Sequence, residues 1–95
     1  MHVTKLPRAH GDSVADQCRS MGVAVGDTII GREDYRVGWG EVRLTVLWIG
    51  KTEVAFDEEE RSSENPEWGP KVESTRWTLV YREWWKISAD VVDTA

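Results

Sequence analysis

Few residues of the chain could take part in metal binding or nucleophilic chemistry. His2, His10 and Cys18 are the only nitrogen and sulfur side chains of the kind that bind zinc. No two of them have the CxxC or HxxxH spacing that places two donors on one ion. Cys18 lies on the apolar stripe of a predicted helix and has one basic neighbour, Arg19, so it suits a core position better than a reactive thiolate. We therefore expect no metal and no cofactor.

Acid–base catalysis has no better support. The GxSxG, GxGxxG and Walker patterns do not occur. Carboxylates are abundant in residues 57–67, DEEERSSENPE, but they are adjacent in one polar segment that we expect to be a loop. Catalysis by a carboxylate pair needs two groups held in different, rigid environments. The sequence favours a protein that is not an enzyme.

Tryptophan and arginine offer chemistry that suits binding. The chain has six Trp, two Tyr and one Phe, and a domain of this size cannot bury six indoles completely. Trp, Tyr and Arg are enriched at protein interfaces and dominate their binding energy. Tyr35, Arg36 and Trp39 follow one another in a predicted loop, and Trp68 follows the acidic segment. We expect Trp39 and Trp68 at a binding surface, with core positions at the ends of the fold as the alternative.

The other tryptophans lie in predicted strands. Alternation places Trp48 on the same face as Val42, Leu44 and Val46. Adjacent residues of an extended chain point to opposite faces, so only one of the two neighbours at positions 84 and 85 can point inward. The tryptophans expected in the core are Trp48, Trp77 and one of Trp84 and Trp85.

The elements that must position these residues begin with one short helix over residues 12–21. Asp12 or Ser13 can cap its first turn, and Gly22 suits the left-handed position after its last turn. Strand patterns then follow at residues 23–32, 41–49, 52–57, 72–82 and 86–88, with a tight turn at 83–85. We predict a flexible arm over residues 1–11, a single domain over 12–88 and a frayed tail over 89–95.

Four or five short strands after one helix predict a mainly β fold that closes into a small barrel, because closure removes exposed strand edges. The order of elements resembles the SH3-like barrels, including the KOW type, over about residues 23–88. The segments that carry this resemblance are VGDTII, LTVLWIGKTEVAF and WTLVYREWWKI.

A closer resemblance rests on four motifs taken together, VGDTIIGRE, RLTVLWIG, PEW and WTLVYREWWKI. In this combination the chain resembles a group of short proteins of tailed phages and prophages. The resemblance implies a phage or prophage origin and no particular activity.

Charge and hydropathy restrict the partners. The net charge is −5, and residues 57–67 alone contribute it, so the remaining chain is neutral rather than basic. A dedicated nucleic-acid binder would normally carry a basic excess. No apolar run approaches the length of a membrane span, and the first ten residues lack the apolar stretch of a secretory signal, so we expect the cytoplasm.

These observations favour a non-enzymatic phage-type protein that binds a host protein, with a defence protein as one candidate. The expected partner-binding residues are Tyr35, Arg36, Trp39, Asp57, Glu58, Glu59, Glu60 and Trp68. The alternative is a binder of nucleotides or single-stranded nucleic acid, which would stack bases on indoles. The ligand residues of that alternative are Trp39, Arg76, Trp77 and Arg82. Both a monomer and a homodimer remain open.

Overall fold

A computed structural model describes residues 2–88 of the chain. It contains six antiparallel strands in one sheet and one short helix. The elements in chain order are β1 (His2–Lys5), α1 (Val14–Met21), β2 (Thr28–Asp34), β3 (Trp39–Ile49), β4 (Val54–Ser62), β5 (Val72–Thr75) and β6 (Glu83–Ser88). The predicted mainly β class with one short N-terminal helix is confirmed.

The strand order across the sheet is β1-β6-β2-β3-β4-β5. It places β1 and β5 at the two edges, so closure into an SH3-like barrel is not shown. Residues 2–5, predicted as part of a flexible arm, form β1 and pair with β6 from His2↔Ser88 to Lys5↔Trp85. The predicted tail over 89–95 lies outside the described residues.

Helix α1 is capped as the sequence predicts. The Ser13 hydroxyl accepts a hydrogen bond from the Asp16 N–H at 3.1 Å, and Gly22 adopts the left-handed conformation with φ 72°. The Arg19 guanidinium also donates to the Gly50 carbonyl at 2.8 Å. Because eight residues are too few for a stable isolated helix, α1 depends on such tertiary contacts and on its buried face.

The two faces of the sheet differ in composition. The inner face carries Ile29, Leu44, Phe56 and Trp84, which form one buried cluster with the apolar side of α1. The outer face carries the residues that alternate with them, and its side chains are half-buried or exposed. Burial of each large apolar side chain stabilises the fold by about 1.5–3 kcal/mol, so the inner face is the main source of stability.

A β-bulge moves Trp48 out of the predicted core. The register of β3 against β4 shifts between Val46↔Phe56 and Trp48↔Ala55. One extra residue, Leu47, therefore reverses the alternation. Trp48 lies on the outer face and is 56% exposed, so its predicted core position is wrong.

Residues 76–82 cross the inner face as a loop instead of continuing the predicted strand. Leu79 is buried there, and its backbone N–H and C=O groups both form hydrogen bonds, so neither is left without a partner in the core. Its N–H donates to Gln17 Oε1 at 2.7 Å, and its carbonyl accepts from Trp84 Nε1 at 2.7 Å. Trp77, in the same loop, is 80% exposed, so the prediction that it belongs to the core is wrong.

Positions 84 and 85 belong to β6 and not to a tight turn. Trp84 points into the core and is 2% exposed, whereas Trp85 lies half-buried on the outer face. The indole of Trp84 lies flat against Gly31, where a Cβ atom would come within 2.6 Å of ring carbon Cζ3. Glycine at position 31 thus provides the space that Trp84 fills.

We expect Gly31→Ala to lower the free energy of unfolding by about 1–3 kcal/mol, because the added methyl group overpacks the core against Trp84. Urea denaturation followed by circular dichroism measures this loss. Gly69→Ala is the matched control, since its Cβ would meet only the Glu60 carbonyl at 3.4 Å. Equal effects of the two substitutions would contradict this role of Gly31.

Candidate functional site

The most ordered array of binding-type side chains lies on the outer face of the sheet. Three guanidinium groups and two indole rings alternate there in the order Arg32, Trp39, Arg61, Trp68, Arg43. The Cζ-to-ring-centroid distances along this series are 4.8, 5.7, 4.4 and 4.3 Å. All are within the range of cation–π attraction. We call these five residues the Arg–Trp ladder.

Strand register positions most of the ladder. Arg32 lies on β2, and Glu41↔Arg61 and Arg32↔Glu41 are directly paired across neighbouring strands. Trp68 comes from the loop after β4, which folds back so that the Gly69 N–H donates to the Glu60 carbonyl at 2.8 Å. Its indole is thereby brought onto the sheet, between two arginines.

Carboxylates neutralise every arginine of the ladder. Glu41 accepts from Arg32 at 3.2 Å and from Arg61 at 2.7 Å. Glu59 accepts two hydrogen bonds from Arg43, at 2.6 and 3.1 Å. These bonds hold the pKa of Glu59 below its ordinary value near 4.5, so it remains ionised at neutral pH. A phosphate that approached the ladder would have to compete with carboxylates already in place.

Part of the outer face beside the ladder is apolar, and the paired hydroxyls of Thr28 and Thr45 lie next to this part. Ile30 pairs directly with Trp85, and Ile87 pairs with Val3, so these side chains form one patch beside the ladder. Val3 is 58% exposed, and Trp48 lies at the other end of the same face. Outer faces of antiparallel sheets that only meet water are usually polar, so this patch distinguishes the domain.

The predicted partner-binding residues divide between two surfaces. Trp39, Trp68, Asp57 and Glu59 lie on or against the outer face. Tyr35 does not join them, because its hydroxyl donates to inner-face Glu33 at 3.3 Å. The other three are divided as well: Glu58 and Glu60 project from the inner-face side of β4, and Arg36 is exposed in the turn between β2 and β3.

The acidic segment is not a free loop, which corrects the sequence prediction. Its first half forms the end of β4, since β3 is long enough to pair with it as far as Gly40↔Ser62. Glu58 accepts hydrogen bonds from the Ser74 hydroxyl at 2.9 Å and from Arg76 at 3.0 Å. Much of the negative charge is therefore paired within the protein.

Glu58 and Glu60 also interact with each other. Burial alone would raise the pKa of Glu58, but hydrogen bonds from Ser74 and Arg76 outweigh it and keep that pKa low. The hydrogen bond to Glu58, burial and repulsion from Glu58 raise the pKa of Glu60. The two carboxyl groups border an open cavity of about 890 Å³ under the loop that carries Trp68.

Three residues of the alternative ligand site, Arg76, Trp77 and Arg82, line one small cavity, but the fourth, Trp39, lies on a different surface. Arg76, Trp77 and Arg82 belong to the loop that crosses the inner face, whereas Trp39 contacts Arg32 and other groups of the outer face. One aromatic residue of that loop was not among the predicted ligand residues. Tyr81 is 70% exposed, and its ring centroid lies 5.5 Å from that of Trp77.

Cys18 and the histidines provide no second site. Cys18 is completely buried, and this burial raises the pKa of its thiol to about 11. Within residues 2–88, no three His, Cys, Asp or Glu side chains cluster so as to hold a metal ion. In the same range, no helix has the length and apolar character needed to span a membrane.

Comparisons with known proteins found no matching family model, no matching curated protein and no matching solved structure. The resemblance to phage proteins therefore stays a prediction.

The contacts of Trp68 with Arg61 and Arg43 should hold the loop after β4 against the sheet. We expect Trp68→Ala to speed hydrogen exchange of the Gly69 amide about 5- to 30-fold, because two cation–π contacts are lost. Nuclear magnetic resonance would follow this amide. Trp77→Ala is the control, since its ring touches Tyr81 and no cation of the ladder. Unchanged exchange at Gly69 in Trp68→Ala would show that the ladder does not hold the loop.

Proposed function

We propose that the chain is a non-enzymatic interaction protein whose outer face binds a protein partner. On the resemblance to phage proteins, the partner is a host protein, a defence protein among the candidates, and the site of action is the cytoplasm. One observation carries the proposal: the outer face combines half-exposed indoles and guanidinium groups with an adjoining apolar patch. This is the composition of interface hot spots.

The charge of the outer face supports a protein partner over nucleic acid. The guanidinium groups of the ladder are matched by Asp34, Glu41 and Glu59, so the array is neutral as a whole. Binding a polyphosphate would require displacing these pairs, with the loss of their hydrogen bonds. A protein surface with its own carboxylates and apolar groups can dock without displacing them.

The acidic segment, residues 57–67, contributes less to partner binding than a free acidic loop would. Glu58 and Glu59 are already paired with arginines, so they are weaker sources of long-range attraction than a free loop would be. We therefore assign the binding energy to the indoles and the apolar patch, and expect steering by charge to be secondary.

Absence of catalysis is part of the proposal. The thiol of Cys18 is protonated at neutral pH and has no access to solvent, so it is not a nucleophile. Glu58 and Glu60 lie two residues apart on one strand and are hydrogen-bonded to each other, so they are not separated as a pair flanking a scissile bond would be.

Substitution of outer-face tryptophans should weaken partner binding without unfolding the domain. We expect Trp85→Ala and Trp48→Ala each to weaken binding at least about tenfold, because interface tryptophans are typical hot spots. The partner is first captured from host lysate and identified, and its affinity for each variant is then measured by surface plasmon resonance. Circular dichroism confirms that each variant is folded.

Trp77→Ala is the matched control, since Trp77 is the most exposed tryptophan and lies in the loop that crosses the inner face. Retained affinity in both outer-face variants, with loss in Trp77→Ala, would contradict the proposal. Trp39→Ala and Trp68→Ala are also expected to weaken binding, with the added effect of loosening the ladder. If both of these variants failed to fold, Trp39 and Trp68 would be structural residues and not binding residues.

A further inference from the structure

A second surface, distinct from the outer face, pairs exposed aromatic rings with a basic cavity. The aromatic part is the contact between Trp77 and Tyr81, whose rings are 80% and 70% exposed. Each ring could bury its free face against a flat ligand. Aromatic side chains so exposed bury little area and contribute little to the stability of the fold.

The basic part is a cavity of about 390 Å³ between the chain that follows β1 and the end of the loop 76–82. Lys5, Arg8 and Arg82 line it, and Glu83 is its only acidic residue. Glu83 is 3.5 Å from Lys5, and both side chains are largely exposed, so solvent screens this pair. The Arg8 side chain forms no ion pair or hydrogen bond with the rest of residues 2–88.

The aromatic pair and the basic cavity adjoin each other. Tyr81 lines the basic cavity, and a smaller cavity of about 50 Å³ is lined by Tyr81 together with Trp77. Arg82 lines both cavities. A ligand that stacked on the rings would therefore have its polar end beside guanidinium and ammonium groups.

We propose that this surface binds a nucleobase joined to a phosphate. The base stacks on Trp77 or Tyr81, where aromatic stacking is favourable for any base. The phosphate is held by Arg8, with Lys5 and Arg82 beside it, since a guanidinium can pair with phosphate oxygens through two hydrogen bonds. Arg82 is paired with Glu33 at 3.4 Å and Lys5 with Glu83 at 3.5 Å, so Arg8 is the base of this cavity that has no carboxylate partner within residues 2–88. Every arginine of the ladder has such a partner, so the two surfaces suit different ligands.

The inference is independent of the proposed function, because it uses no residue of the ladder or of the apolar patch. Lys5 is the point of contact between the two surfaces, since its Nζ lies 5.7 Å from the ring centroid of Trp85. The shared chemistry, a base and a phosphate, has two sources. A free nucleotide would occupy the site alone, whereas a single strand would place one nucleotide in it and continue along the surface.

Binding is tested with thymidine 5′-monophosphate, a short oligothymidylate and inorganic phosphate, by calorimetry on the full chain. We expect one or both thymidine ligands to bind and inorganic phosphate to bind far more weakly, because it cannot stack. Binding of the mononucleotide identifies a nucleotide site, and binding of the oligothymidylate alone identifies a single-strand site. No binding of either at about 1 mM, or equal binding of inorganic phosphate, would overturn the proposal.

Two variants locate the site. Tyr81→Ala should weaken binding of the thymidine ligand about 5- to 150-fold, the loss typical of one base–aromatic stack. Arg8→Ala should weaken it too and, with oligothymidylate, should reduce the dependence of log affinity on log salt by about 0.7. Both side chains are exposed, so neither variant should unfold.

Trp48→Ala and Arg36→Ala are the matched controls, an exposed tryptophan and an exposed arginine away from the cavity. We expect both to bind as tightly as the unmodified chain. Equal loss in the controls and in Tyr81→Ala and Arg8→Ala would show that binding is not at this surface, and would overturn the inference while leaving the proposed function untouched.

Discussion

The single helix of the described residues covers only one face of the sheet, and most features of the protein depend on this arrangement. Burial of the inner face against α1 and the loop 76–82 supplies the stability. The buried amide of Gln17 joins these two elements, since it donates to Gly11 and accepts from Leu79. The outer face has no comparable cover, so its side chains must be stabilised by one another or by a partner.

The side chains of the Arg–Trp ladder stabilise one part of that face by contacts with one another. Planar guanidinium groups stack on indoles while their edges bond to carboxylates, so cation–π attraction and ion pairing act on the same groups. Arg61 contacts both ladder tryptophans and Glu41, which makes it the central residue of the array. The apolar patch around Ile30 and Trp85 has less cover, with Lys5 Nζ at 5.7 Å from the Trp85 ring centroid, and there a protein partner has most to bury.

Local signals in the sequence predicted local structure well. The helix of α1, its Ser13 cap and its Gly22 terminus follow from side-chain chemistry within a few residues. The alternation of Val42, Leu44 and Val46 correctly predicted the inner face of β3. Alternation could not locate Trp48, because a bulge changes the phase of a strand by one residue and leaves no clear mark in the sequence.

The other differences between the sequence predictions and the structure arise from contacts between segments that are distant in the sequence. An acidic run is typical of a solvated loop, but here Arg43 on β3 and Arg76, just after β5, pair with its carboxylates and allow it to continue β4. Residues 76–82 alternate like a strand, yet the buried Leu79 peptide is held by Gln17 and Trp84. Trp39 and Trp68 were expected at a surface, but the arginine between them, Arg61, could not be found without the register of the sheet.

The central claim is that the outer face contacts a protein partner, and the six tryptophans provide direct reporters. The measurement is the fluorine spectrum of the chain labelled with 5-fluorotryptophan, with each signal assigned by substitution, before and after the partner is added. We predict that the signals of Trp48 and Trp85 shift most, and that buried Trp84 and inner-side Trp77 change little. A shift confined to Trp77, with Trp48 and Trp85 unchanged, would contradict the account.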